Sequence, residues 1–137
     1  MNAPGAGMEL VAIGVVESPL TDRAEAPRQG FEDGPDAWLV LDPAFAEGLD
    51  GLAPGDDVIV LTWLHRARRD VLRVHPRDDR SNPERGVFTT RSAERPNPIG
   101  LHEVTVAVID GPRVLVRGLE AIDGTPVLDL KPVLRRP

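Results

Sequence analysis

Eight short runs of Val, Ile and Leu, each cut off by glycine, proline or a charged cluster, constrain this 137-residue chain more than any other feature. They are LVAIGVV (10–16), WLVL (38–41), DVIVLTWL (57–64), VLRV (71–74), GVFTT (86–90), LHEVTVAVI (101–109), RVLVRGL (113–119) and PVLDL (126–130). β-Branched residues in runs this short fit a pleated, half-buried surface and cannot sustain a helical stripe. In the sixth run Val104, Val106 and Val108 alternate with Glu103, Thr105 and Ala107, which predicts one buried face and one partly wet face. Asp110-Gly111-Pro112 reads as a hairpin turn into the seventh run. The one helix candidate is PAFAEGL (43–49), with Pro43 at its first position and Asp42 available as its cap. The pattern therefore predicts an all-β fold, barrel or sandwich, of about eight short strands with at most one short helix. Fourteen prolines lie mainly between the runs, as expected of loops held in fixed shapes.

The length and a hydrophobic content of 41% suit one domain with one core. Residues 1–8, rich in Gly, Ala and Pro, are expected to be a flexible lead-in to a domain over 9–137. Cysteine is absent, which removes disulfides, thiolate metal sites and cysteine nucleophiles together. No apolar run approaches the roughly 20 residues of a membrane span, and MNAPGAGMEL lacks the regions of a signal peptide, so a cytoplasmic protein without membrane contact is expected. The net charge is −6, but residues 66–95 hold nine arginines against five acids, a local +4 that leaves −10 on the remainder. A basic strip on an acidic body suits an anionic ligand: a phosphate, a carboxylate or an RNA segment.

Walker, Rossmann and His-x-x-x-His signatures are all missing, and His65, His75 and His102 are too dispersed in sequence to suggest a metal site. Four segments carry more chemistry than their geometry requires. Ala26-Pro27-Arg28-Gln29-Gly30 presents a guanidinium and an amide from a proline-stiffened loop. Trp63-Leu64-His65-Arg66 ends the most apolar run with two titratable groups at the rim of the core. In TTRSAERPNPIGLHEV (89–104), Pro96 and Pro98 force extended backbone beside Arg95 and Asn97. There Arg91 and Arg95 can grip an anion in a fork, and Ile99-Gly100-Leu101 offers narrow backbone beside an apolar wall, as a flat ring needs. Ile122-Asp123-Gly124-Thr125-Pro126 is a turn signal followed by Asp129 and Lys131, two apart on one strand face.

IGVVESPL, APRQG, GVFTTRSAERPNPIGLHEV and IDGTPVLDLKPVL together resemble the TsaA-like (TrmO) family, over about residues 10–134. The resemblance implies a single-sheeted β-barrel that pairs as a homodimer. It implies an S-adenosylmethionine-dependent methyltransferase acting on the exocyclic amino nitrogen of threonylcarbamoyl-adenosine, next to the anticodon in tRNA. Carried over by position, its cofactor-binding residues fall on Pro27, Arg28, Gln29, His65, Arg66, Arg91, Leu101, Asp123, Gly124, Thr125 and Pro126. This chain departs from the pattern at Glu17, where an arginine often precedes Ser-Pro, at Glu94, often apolar, and at Val133, commonly aromatic. It also stops where longer bacterial members continue into a second domain.

Methyl transfer is an in-line displacement, so the protein chiefly aligns donor and acceptor in a dry pocket. On that basis Arg28 or Arg91 is expected to hold the cofactor's carboxylate, and Leu101 with the 123–126 turn its adenine and ribose. Asn97 and Arg95 would orient the acceptor, and Asp129 or His65 would take the proton; tRNA would follow the basic stretch 66–95. The alternatives are the same fold acting on another RNA or a small metabolite, or a non-catalytic S-adenosylmethionine or RNA-binding module.

Overall fold

The structure, a computed structural model, describes residues 7–21 and 35–135. Six strands close a barrel in the order β1-β2-β7-β6-β3-β8: β1 (Gly14–Glu17), β2 (Ala37–Leu41), β7 (Arg113–Arg117), β6 (Ile99–Asp110), β3 (Asp57–Trp63) and β8 (Pro126–Pro132). Every neighbouring pair is antiparallel. The barrel is thus one closed sheet without an exposed edge. Alternate residues of each strand fill it, with Val16, Leu39, Val60, Val106, Val114, Val116 and Val127 buried. Closing the barrel on Val and Leu positions of period two is what the alternation of the runs demands.

The two remaining runs leave the barrel. β4 (Arg73–Val74) and β5 (Arg85–Gly86) form a separate two-stranded hairpin, and GVFTT passes directly from β5 into a 3-10 turn over Val87–Thr89. That hairpin belongs to the long excursion between β3 and β6. The helix candidate forms as a 3-10 helix over Pro43–Leu49, with Asp42 Oδ1 accepting from the Ala44 N–H at 2.9 Å. A further single 3-10 turn occupies Pro76–Asp78.

Two local expectations are corrected. The first run begins as a strand only at Gly14, and Leu10 and Val11 are exposed. Val108 is also exposed although Val104 and Val106 are buried, because the β6/β7 register shifts between Val106 and Val108. The extra residue reverses the pleat, so Ile109 rather than Val108 packs against the core.

Strand order decides where the loops go. β3 runs antiparallel to both β6 and β8, and β1 runs antiparallel to both β2 and β8. The β1–β2, β3–β6 and β7–β8 connections therefore leave from one end of the barrel. The opposite end carries the 42–56 connection and the two-residue loop Gly111-Pro112, between the paired Asp110 and Arg113.

Candidate functional site

The three described segments singled out in the sequence lie in, or run directly into, the β3–β6 and β7–β8 connections at that one end. Pro27, Arg28 and Gln29 lie outside the described residues, but the chain enters and leaves their segment at this rim. Thr21 is held by Arg66, whose Nη1 donates to its carbonyl at 3.1 Å, and Pro35 accepts from the Leu119 N–H at 3.2 Å.

The 123–126 turn is tied to the same rim by backbone. Asp123 N–H donates to Leu20 O at 2.6 Å and Gly124 N–H to Val16 O at 2.7 Å, while Asp123 Oδ1 accepts from Ser18 N–H at 3.0 Å. Gly124 has φ 84°, a left-handed value that glycine takes without strain. Buried Thr125 closes the turn by donating its hydroxyl to Ile122 O at 2.7 Å. These bonds turn a flexible-looking Asp-Gly into a fixed backbone surface.

The 89–104 stretch is organised by arginines. Arg95 spends its guanidinium on the loop that precedes it, donating to Ser92 O and Val87 O at 2.8 Å each and to Thr90 O at 3.2 Å. Its backbone N–H donates to Arg68 O, and Glu94 in turn accepts from the Arg68 backbone N–H. Sequence reasoning missed Arg69, which stacks over Trp63 at 5.1 Å and reaches Pro96 O at 2.7 Å and Asn97 Oδ1 at 3.1 Å. Nothing in the spacing of Trp63, Arg69 and Asn97 signals this stack; the β3–β6 pairing creates it.

Two polar side chains of the β3–β6 connection are uncommitted. Arg91 and His65 are exposed, and neither side chain makes a hydrogen bond or ion pair among the described residues. Asn97 is also exposed, with its amide nitrogen uncommitted.

Leu101 and Asp129 sit slightly below the rim. Both pair with Leu61 of β3, one from each side, so Leu101, Leu61 and Asp129 form a row on one face. The face is the outer one: Leu101 is 46% exposed, whereas its neighbour His102 is 6% exposed. Asp129 is ion-paired with Lys131 at 3.3 Å, as two residues on one strand face should be. Gly100 does not border this outer wall. It is buried, and a Cβ there would overlap Thr62 Oγ1 and stand 2.7 Å from His102 Nε2, inside the barrel.

The β3–β6 connection at this end thus carries an exposed guanidinium, imidazole and amide on Arg91, His65 and Asn97, and the row of Leu101, Leu61 and Asp129 lies on the outer face. That donor set fits a ligand combining a carboxylate with a flat polar ring. No group of three or more His, Cys, Asp or Glu among the described residues could hold a metal ion. No helix there is long and apolar enough to cross a membrane.

Residues 15–136 match the tRNA-methyltransferase O N-terminal domain family. The chain belongs to this TrmO family. A TrmO from Pseudomonas aeruginosa has a crystal structure that superposes with a TM-score of 0.74 at 30% identity, covering 98% of this chain and 57% of that one. The present chain thus spans just over half the length of the TrmO structures it matches. Shorter members are matched along most of their length. An S-adenosyl-L-methionine-binding protein of Archaeoglobus fulgidus is 46% identical over 125 residues, covering 90% of this chain and 88% of its own. A probable S-adenosyl-L-methionine-binding protein of Methanothermobacter thermautotrophicus is 45% identical over 121 residues, covering 88% and 85%. The resemblance read in the sequence motifs and the single closed barrel both agree with this membership.

Proposed function

We propose that this protein is an S-adenosylmethionine-dependent methyltransferase, with the exocyclic amino nitrogen of threonylcarbamoyl-adenosine next to the anticodon in tRNA as its acceptor. The observation that carries the reading is the gathering, at one end of the barrel, of the connections that bear the three described chemically overloaded segments. Family membership and the names of the shorter relatives support the cofactor. The sulfonium cofactor would supply an electrophilic methyl group. The protein's task is then alignment in a site poor in water.

Arg91 and Arg28 are the carboxylate-binding candidates, and a guanidinium suits that partner because it can donate two parallel hydrogen bonds. The family resemblance adds Pro27, Gln29, His65 and Arg66 to the cofactor site, and of these Arg66 anchors Thr21. Leu101 and the turn of Asp123, Gly124, Thr125 and Pro126 would hold adenine and ribose, the turn through backbone groups that its rigidity keeps in place. Asn97 would orient the acceptor. Arg95 would act through the loop it clamps, fixing Arg91 and Ser92 rather than touching the substrate. His65 would take the proton, with Asp129, ion-paired with Lys131 at 3.3 Å, as the other candidate.

The protein would work as a homodimer in the cytoplasm. The outer face of β3 and β6 supports pairing with a second copy: Ile99 is 44% exposed and pairs with Trp63.

Calorimetry with S-adenosylhomocysteine tests the cofactor site. Arg91→Ala should weaken binding roughly tenfold or more, because hydrogen bonds to a charged group are lost. Its thermal stability should not change, since Arg91 has no partner in the described fold. Incubation with labelled methyl donor and total tRNA, followed by digestion, should yield a methylated modified adenosine. Tight cofactor binding without transfer would favour the second reading, a non-catalytic S-adenosylmethionine-binding module. The names of the relatives matched along most of their length speak for that alternative.

A further inference from the structure

The hairpin of β4 and β5 is not used by the cofactor site. It stands outside the barrel on the β3–β6 excursion, and it carries an unusual combination of charge and exposed apolar surface. A depression of about 480 Å³ on it is lined by Arg68, Arg73, Val74, His75, Asp78 and Arg80. Arg68 is paired with Asp70 at 2.9 Å and Arg73 with Glu84 at 2.7 Å, which fixes the walls. Arg80 and Arg85 make no ion pair or hydrogen bond among the described residues, so their charge is open to an outside anion. Arg77 and Asp78 hold φ of 58° and 55°, left-handed backbone that ordinary residues rarely adopt. Strain of this kind persists where a loop must keep a particular shape.

At the base of the hairpin, where Leu72 precedes β4 and the 3-10 turn follows β5, two large apolar side chains are exposed. Phe88 is 76% and Leu72 62% exposed, and their segments are joined where Val87 N–H donates to Leu72 O at 2.9 Å. Phe88 is exposed far more than its hydrophobicity favours, on a segment whose excess charge is positive. An exposed aromatic in a segment that also carries open arginines is the chemistry that binds single-stranded nucleic acid: the ring stacks on a base and the cations neutralise phosphates.

The geometry points to the β4–β5 hairpin as an RNA-binding arm, with Phe88 as a stacking platform for an unpaired base and Arg80 and Arg85 as contacts for the flanking phosphates. This rests on the RNA-acceptor reading and adds to it a recognition surface separate from the cofactor site. A second copy of the chain is disfavoured as occupant, because like-charged arginine faces would then be brought together.

The test uses the whole protein, a labelled RNA stem-loop and a fully paired duplex of the same length. Phe88→Ala should weaken stem-loop binding about tenfold and leave duplex binding unchanged, since only an unpaired base can stack. Phe88→Tyr should restore it. Arg80→Ala should weaken both probes alike and lower the slope of log affinity against log salt by about one. Neither variant should alter S-adenosylhomocysteine binding. Equal stem-loop affinity for wild type and Phe88→Ala would overturn the platform, and conversion of a dimer to monomer by Phe88→Ala would assign the patch to a protein partner instead. If the wild type still methylates tRNA in either case, the proposed function survives the loss of the arm. A wild type that binds the cofactor product but no RNA would remove both.

Discussion

His102 is the residue whose chemistry is most altered by its surroundings. It points into the barrel, its Nε2 is 2.9 Å from Thr62 Oγ1, and its Nδ1 has no partner. Burial disfavours the charged ring and lowers its pKa from 6.5 to about 4. Between those two values the unfolded chain binds a proton that the folded chain refuses. Stability should therefore be independent of this group above pH 6.5 and fall as pH drops toward 4, by about 3 kcal/mol in all. Asp57, Asp70, Asp79 and Glu84 are shifted down by hydrogen bonds to Arg135, Arg68, Ser81 and Arg73 respectively. Their stabilisation is lost only as pH falls through the lower, carboxylate range. Thermal melts of His102→Gln should consequently be flat between pH 6.5 and 4.5 where the wild type declines; a parallel decline in both would refute the assignment.

Residue types alone showed which side chains could bind an anion, but not which were already occupied. Arg95 and Arg91 look equivalent in TTRSAERPNP, yet one is spent on three carbonyls and the other is open. The departures from the family pattern also have structural work. Glu17 pairs with Arg113 at 3.2 Å, whose guanidinium covers Trp38 at 5.0 Å, and Glu94 holds the Arg68 backbone. Such pairings arise between residues tens of positions apart and leave no local trace.

At the scale of elements, period-two alternation and turn residues located the six barrel strands, because a pleated surface with one buried face requires that pattern, whereas GVFTT, read as a strand, is mostly a 3-10 turn over Val87–Thr89. They did not tell barrel strands from the β4–β5 hairpin, since two-residue strands bury almost nothing and obey only local turn chemistry. The β6 bulge was likewise invisible: Val104, Val106 and Val108 keep perfect alternation in sequence while the pairing slips beneath them. Gly14 shows how closely the elements fit. A Cβ there would overlap the Val40 carbonyl oxygen and stand 2.8 Å from Leu41 Cα, both backbone atoms of the paired strand. Gly14→Ala should cost about 3 kcal/mol, read as a fall of about 10 °C in Tm. Gly48→Ala, with nothing within 4 Å of the added atom, is the control and should change Tm by no more than a few degrees.

For the whole molecule, the apolar outer face of β3 and β6 predicts association. Ile99→Lys should convert a dimer to monomer in sedimentation equilibrium and abolish the concentration dependence of Tm. A wild type that sediments as a monomer at every concentration would remove the homodimer. The fold class was readable because alternation and turn chemistry are local, whereas closure depends on β1 meeting β8 across more than a hundred residues. The placement of the candidate site followed from closure, not from any motif.

The strand order also separates upkeep from innovation. Every long, arginine-bearing connection departs from one mouth, while the other is stitched by a tight hairpin and a capped turn. Lengthening or recharging a loop at the mouth disturbs no rung of the ladder, so a lineage built on this barrel can reshape that mouth without renegotiating its core.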